Sequence, residues 1–168
     1  MKPFMADKLS KRHRSWLMGQ VPGKNTKPEI LARRLLHGLG YRFTVNGPKN
    51  KKLPGKPDIV LPKYKAAIFI HGCFWHRHKG CKSASTPKTN TEYWLPKFER
   101  NVQRDKDNQA ELKALGWQVI VIWECELKKL DTVAARLIAA LPREMSYTLP
   151  EELDDEALVA ESKEQYGA

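Results

Sequence analysis

Three observations predict an α/β fold for this sequence, with helices packed as a sandwich on a mixed β-sheet. Apolar residues recur at helical spacing in segments bounded by capping and stop signals. Two short apolar runs flank a turn tetrapeptide as the strands of a hairpin do. A later run, WQVIVIW, is apolar on both faces, in the manner of a buried strand. The order is two helices, a strand, a hairpin, a helix, a strand and a helix, and 168 residues suffice to bury one genuine core.

Lys8–Gln20 is expected to form a basic amphipathic helix, followed by the turn VPGKN. Thr26-Lys27-Pro28-Glu29 opens a second helix. Thr26 suits the N-cap, Pro28 the tolerant first turn, and Glu29 the N3 place of a capping box. Ile30, Leu31, Leu35, Leu36 and Leu39 supply its core face, and Gly40 ends it. Tyr41–Asn46 alternates enough for a strand, and GPKNKKLPGK reads as a basic loop. Asp58–Leu61 and Ala66–Ile70 are the hairpin strands around Pro62-Lys63-Tyr64-Lys65. Thr91–Leu115 is a long polar helix with Trp94, Leu95, Phe98, Val102 and Leu112 at helical spacing, ended by Gly116. Trp117–Trp123 is the expected central strand. Asp131 caps a last amphipathic helix to Leu141, and Pro142 stops it. One domain is therefore expected over residues 1–145, with residues 1–25 as a basic N-terminal helix or arm and residues 146–168 as an acidic tail outside the core.

Charge narrows the partner. Residues 146–168 carry seven acidic side chains against one lysine, so the +11 of the whole chain rises to +17 over residues 1–145. A polyanion is the economical partner for so basic a body, the competing reading being a merely soluble, lysine-rich surface. No apolar run approaches the roughly 20 residues that span a bilayer. MKPFMADKLSKRHRS has no apolar leader core, so a cytoplasmic protein with no membrane partner is expected. Three cysteines there argue against a disulfide framework and leave metal binding open.

The stretch Phe69–Lys82, FIHGCFWHRHKGCK, holds three of the five histidines and two of the three cysteines. Cys73, His78 and Cys81 are spaced C-x4-H-x2-C, and Cys125 follows the WQVIVIW strand where the chain can return to the hairpin. Four soft donors with no cysteine left over make a closed, structural Zn²⁺ site of the Cys₃His type, against the alternative of three idle thiols. His71 and His76 fall outside that shell. A closed zinc site keeps no open position, so any chemistry must occur elsewhere.

Pro57-Asp58 at a strand start supplies a second centre. A carboxylate there, with an acidic residue on an earlier helix and a further element one strand later, is the layout of many metal-dependent nucleases. Asp58 offers Mg²⁺ a hard oxygen, with water completing its shell. The alternative is a turn aspartate that merely opens a strand.

PGKPDIV, IFIHGCFWHRHKGC, TEYWLPKFERNVQRD and VIVIWEC, together with RSWLMGQV and NTKPE, resemble the very short patch repair endonucleases of bacteria over about residues 7–130. The resemblance implies a restriction-endonuclease-like fold, a structural Zn²⁺, and Mg²⁺-dependent nicking of double-stranded DNA 5′ to the thymine of a T:G mismatch. Such mismatches arise when 5-methylcytosine deaminates. It also implies residue roles. Asp58 is the magnesium carboxylate and the main-chain carbonyl of Ile70 the second protein ligand. His71 and His76 fall on catalytic histidines. His76 is the better general base, and His71 steadies the scissile phosphate or a water of the metal shell. Glu29 matches a helical glutamate near the metals, a role that competes with its place in the capping box. One departure from the wider restriction-enzyme pattern stands out. Where acidic-x-Lys is expected one strand after Pro57-Asp58, this chain has Phe69-Ile70-His71, so histidine must handle the proton.

Phe74 and Trp75, held by the zinc loop, become candidates for intercalation beside the mispaired step, where unstacking costs least. Trp94 matches a third wedge. For all three rings the alternative is core packing. Met18 and Val21 on the N-terminal helix are expected to enter the opposite groove, unless they only form a packing stripe. Lys97, Asn101 and Arg104 share a helix face and are expected to contact bases or phosphates, unless that face is simply solvated. Lys49–Lys52 serves phosphates without sequence preference. The expected enzyme acts as a monomer on DNA, with mismatch-repair proteins as possible partners. Its two rivals are a restriction-type endonuclease blind to mismatches and a zinc-stabilised DNA-binding module without catalysis.

Overall fold

The computed structural model describes residues 23–142 together with Ser10, Arg12, His13, Trp16, Gly19 and Gln20. Apart from single 3₁₀ turns, the described elements are α1 (Lys27–Gly38), α2 (Pro48–Lys52), β1 (Ile59–Leu61), β2 (Ala66–His71), α3 (Thr91–Ala114), β3 (Gln118–Trp123) and α4 (Leu130–Ala140). Strand order is β1-β2-β3, with β1 antiparallel and β3 parallel to β2, so the sheet is mixed. A parallel neighbour needs a crossover, and α3 supplies it.

Period-two alternation sorts the strand residues onto two faces. Ala66, Ile68, Ile120 and Ile122 face a core shared with Ala32 and Leu36 of α1 and Val133 and Leu137 of α4. Ala67 and Phe69 face the other way, against Leu112 of α3, Leu53 and Val119. The sheet is thus sandwiched between α1 with α4 on one side and α3 on the other. No described helix is long and apolar enough to cross a membrane.

Thr26 caps α1 as expected. Its hydroxyl accepts from the Glu29 N–H at 3.5 Å and donates to Glu29 Oε1 at 2.9 Å. The reciprocal reach of the capping box goes one residue further back, to the Asn25 N–H at 3.0 Å.

Several expectations are corrected. The central strand is β2 rather than Trp117–Trp123: β2 is buried at nearly every position, whereas β3 lies at the edge of the described sheet and exposes Gln118. Tyr41–Asn46 is not a strand but a single bridge, Thr44 to Val60. The Thr44 carbonyl is engaged by the Asn50 side chain at 3.1 Å, and Asn46, at φ 54°, turns the chain away. The basic loop contains α2, whose buried Asn50 also donates to the Pro57 carbonyl at 3.1 Å and so ties down the segment leading to Asp58. Ile30 is exposed and Leu95 half-exposed, because the inner rows of their helices run through Ala32 and Leu36, and through Phe98 and Leu112. Asp131 lies inside the first turn of α4 and does not cap it. The N-cap position is Lys129, with no side-chain cap bond.

Of the expected helix Lys8–Gln20, the described Arg12, His13, Trp16 and Gly19 are helical. Met18, Val21 and the acidic tail at 146–168 lie outside the described residues.

Candidate active site and metal centre

Asp58 directly precedes β1, and the antiparallel hairpin brings it beside the far end of β2. β1 pairs only as far as Ile68, so Phe69, Ile70 and His71 run past it. There the Asp58 carboxylate replaces the missing strand: Oδ2 accepts the Ile70 N–H at 2.7 Å. The N–H and C=O of one strand residue point the same way, so the Ile70 carbonyl is also turned towards Asp58. Burial, reinforced by the charge of Glu29, raises the Asp58 carboxyl above its ordinary range even though the Ile70 hydrogen bond and Arg33 pull it down. An anion in that position favours a hard cation beside it.

Glu29 is buried and electrostatically close to Asp58, but its carboxylate is engaged locally. It accepts from Thr26 and Asn25 and forms a 2.7 Å ion pair with Arg33. The capping role and the proximity to Asp58 coexist.

His71 ends β2 on the same face as Ala67 and Phe69, the one covered by α3. Beyond it the chain folds back through a series of backbone hydrogen bonds: His76 N–H to Gly72 O at 3.1 Å, His78 N–H to Cys73 O at 3.0 Å, and Cys81 N–H to His78 O at 3.2 Å. Arg77, left-handed at φ 55°, reverses the chain between His76 and His78 and sends their rings to different sites. His76 returns over His71, the rings stacked at 3.9 Å and 13°. Its Nδ1–H donates to Asp105 of α3. An ionised carboxylate only accepts, so Nδ1 carries the proton and Nε2 keeps its lone pair whenever the ring is neutral. Burial, with His76 against its face, pushes His71 down to about 4. Burial alone would raise Asp105, but the hydrogen bond and charge of His76 outweigh it and hold that carboxyl low.

Asp105 is the residue that reading the sequence missed. Its signal was present: Asn101, Arg104, Asp105 and Asn108 form one strip of α3 at i, i+3, i+4 and i+7. Arg104, Asp105 and Asn108 of that strip line a cleft of about 760 Å³ whose walls also include Lys52, Lys56, Asp58, His71 and His76. His71, His76 and Asp105 also fall within one metal-binding radius. They are arranged as a hydrogen-bonded His76–Asp105 pair backed by the His71 ring rather than as a chelate, because stacked parallel imidazoles do not converge on one point and Asp105 is engaged by His76.

Cys73, His78, Cys81 and Cys125 offer ligand atoms within 4.8 Å of one another. Cys73 Sγ and Cys125 Sγ lie 3.6 and 3.2 Å from His78 Nδ1. Sulfur and nitrogen at zinc's usual bond lengths sit roughly 3.6 Å apart around a tetrahedron, so the donor set fits that ion. Burial pushes the Cys73 thiol up to about 12.

The three expected wedge rings form one platform. Phe74 meets Trp75, Trp94 and the buried Phe98 edge-on at 5.0, 5.4 and 5.1 Å. The first three are half-buried, so the platform combines core contact with an open side. The Lys97 ammonium lies 5.2 to 5.5 Å from the rings of Tyr93, Trp75 and Trp94. Asn101 Nδ2 donates to the Trp75 carbonyl at 3.2 Å, holding the aromatic loop to α3. Arg104 is mostly exposed at the cleft rim, 3.7 Å from Asp105.

Comparison with known proteins agrees with this geometry. Residues 6–83 match the family described as DNA mismatch endonuclease Vsr. The chain is 50% identical over 133 residues to type II nicking enzyme V.XorIIP of Xanthomonas oryzae pv. oryzae, covering 79% of this chain and 95% of that one. It is 46% identical over 133 residues to type II nicking enzyme V.NmeAIP of Neisseria meningitidis, covering 79% and 92%. It is 42% identical over 124 residues to DNA mismatch endonuclease Vsr of Escherichia coli K12, covering 74% and 77%. A three-stranded mixed sheet flanked by helices fits a restriction-endonuclease-like fold, and the class is that of a DNA-cleaving hydrolase. The chain belongs to the Vsr family of DNA mismatch endonucleases.

Proposed function

We propose that this enzyme nicks one strand of duplex DNA 5′ to the thymine of a T:G mismatch, in a Mg²⁺-dependent reaction that starts very short patch repair. The observation that carries the reading is the meeting of Asp58, His71 and His76 in one cleft, with an aromatic platform beside it. The Asp58 carboxylate and the Ile70 carbonyl oxygen would hold Mg²⁺, and Glu29 adds negative charge behind them. When bound, the ion lowers the pKa of a nearby water and offsets charge building on the phosphate.

The protein's own groups do the rest. His76 takes the proton of the attacking water at Nε2, while Asp105 fixes its tautomer and steadies the imidazolium that forms. His71, kept neutral by burial, backs the His76 ring and steadies the scissile phosphate. Cys73, His78, Cys81 and Cys125 would hold Zn²⁺, which supplies no chemistry and ties the loop to the turn after β3. Phe74, Trp75 and Trp94 enter the base stack, with Lys97, Asn101 and Arg104 reading or gripping the flanks. Two relatives are known as type II nicking enzymes, which supports cleavage of a single strand. The enzyme works as a cytoplasmic monomer.

Nicking rates on a T:G duplex and a paired duplex of the same sequence test the specificity. A rate on T:G higher by a hundredfold or so is expected, and equal rates sink it. Asp58→Ala should reduce the rate on the order of a thousandfold, several kcal/mol of charge stabilisation. Undiminished Mg²⁺-dependent nicking in that variant would show the centre to be wrongly placed.

A further inference from the structure

The indole of Trp123 lies between the two histidine clusters. One face stacks on His78, with centroids 4.2 Å apart and planes within 4°. It also meets His71 at 5.3 Å and 76°. His71 in turn stacks on His76, and His76 is hydrogen-bonded to Asp105. A continuous run of planar rings therefore joins His78 of the soft-donor cluster to His76 in the cleft.

Trp123 is itself anchored from the sheet, independently of the loop it touches. In the parallel register it stands beside His71, so the two side chains share a face. Its main-chain N–H donates to Glu126 Oε2 at 2.8 Å, and Arg136 of α4 grips that carboxylate at 3.0 and 2.9 Å. Arg136 also donates to the Val121 carbonyl at 3.2 Å, closing the brace onto β3. A flat, rigid ring with two torsions presents a defined surface to both imidazoles. An aliphatic side chain fills volume without setting a plane.

Resting on the roles proposed above for His78 and His76, we infer that Trp123 is a positioning residue whose indole relays the placement of the zinc-held loop to His71 and, through it, to His76. The zinc cluster then influences the reaction by ring contact as well as by tethering the chain. Displacements of about 1 Å at a reacting group cost up to a hundredfold in rate, so a ring that fixes the tilt of its neighbours has measurable weight.

The test compares full-length, zinc-loaded Trp123→Leu and Trp123→Phe with the unaltered chain. Trp123→Leu should keep one zinc and bind T:G duplex within about twofold, while the single-turnover rate falls about tenfold to a hundredfold. Trp123→Phe should restore most of that rate. A second readout needs no nicking: the imidazole ¹⁵N–¹H signals of His71 and His76 as cadmium, a larger ion, replaces zinc. They should move in the unaltered chain, less in Trp123→Phe and least in Trp123→Leu. An undiminished rate in Trp123→Leu, or a cadmium response as large as that of the unaltered chain, overturns the inference. If Trp123→Leu loses zinc or does not fold, the other two chains decide. His71 and His76 signals that ignore the metal exchange, or respond equally with Trp or Phe, overturn it. A smaller response with Phe supports it. Should the unaltered chain cut T:G and paired duplex alike, the proposed specificity fails, while the cadmium response still judges the relay.

Discussion

In the proposed reaction Asp105 and His76 divide the work of a general base between the loop after β2 and helix α3, 29 residues apart in the chain. The carboxylate holds Nδ1–H, which leaves Nε2 for the water. Asp105→Asn retains the size but lets an amide present either end to the ring, so the wrong tautomer becomes accessible. The expected result is a nicking rate lower by about tenfold to a hundredfold, within the range a positioned base contributes. DNA affinity and zinc content should stay unchanged, measured by single-turnover kinetics, titration and metal analysis. His76 could be singled out in the sequence by residue type, since a neutral imidazole suits proton transfer near pH 7. Asp105 was not, because a carboxylate on a charged helix carries no local mark until the partner across the cleft is known.

The segment Leu53–Asp58 and helix α3 form two walls of the cleft and carry Asp58 and Asp105. Gly55, left-handed at φ 69°, lies so close to α3 that an added Cβ would sit 3.0 Å from the Asn108 side chain. Gly55→Ala adds left-handed strain to that contact and should cost about 1–3 kcal/mol, read as a lower melting temperature, with nicking reduced because Asp58 follows three residues later. A melting temperature within a degree of the unaltered chain would show that the loop does not depend on this approach. The loop that carries the soft donors makes a parallel case. Removing zinc with a strong chelator, or Cys125→Ser, leaves thiols converging without a cation. The loop from Gly72 to Cys81 should then gain proteolytic sensitivity, and the expected stoichiometry of one zinc should be lost. The hairpin, the long helix and the grouping of the four soft donors were readable from turn residues, periodicity and residue type. The place of β3 at the sheet edge was not, since an apolar strand looks the same whether one neighbour or two pair with it.

Across the whole molecule the +11 charge sets how DNA is met before any base is read. Lys52, Lys56 and Arg104 line the cleft, so affinity should fall steeply with salt. Arg104→Ala should reduce the slope of log K against log[salt] by about one if Arg104 contacts a phosphate. An unchanged slope with altered preference for the flanking bases would make it a reader of base edges. A slope near zero for the unaltered chain would contradict electrostatic docking altogether.

Sequence alone determined the chemistry available: the four soft metal donors, the strand-opening carboxylate, the two extra histidines, the aromatic rings and the basic body. Those features are identities and short spacings, which the chain carries before it folds. Tertiary structure decided which of them meet. The two-residue alternation of β2 turned His71 towards α3, the folded-back loop stacked His76 on it, and α3 supplied Asp105 from a distant part of the chain. The parallel pairing of β3 set Trp123 against both histidine clusters. Contacts of that kind depend on register and packing across the sheet, which no local pattern encodes.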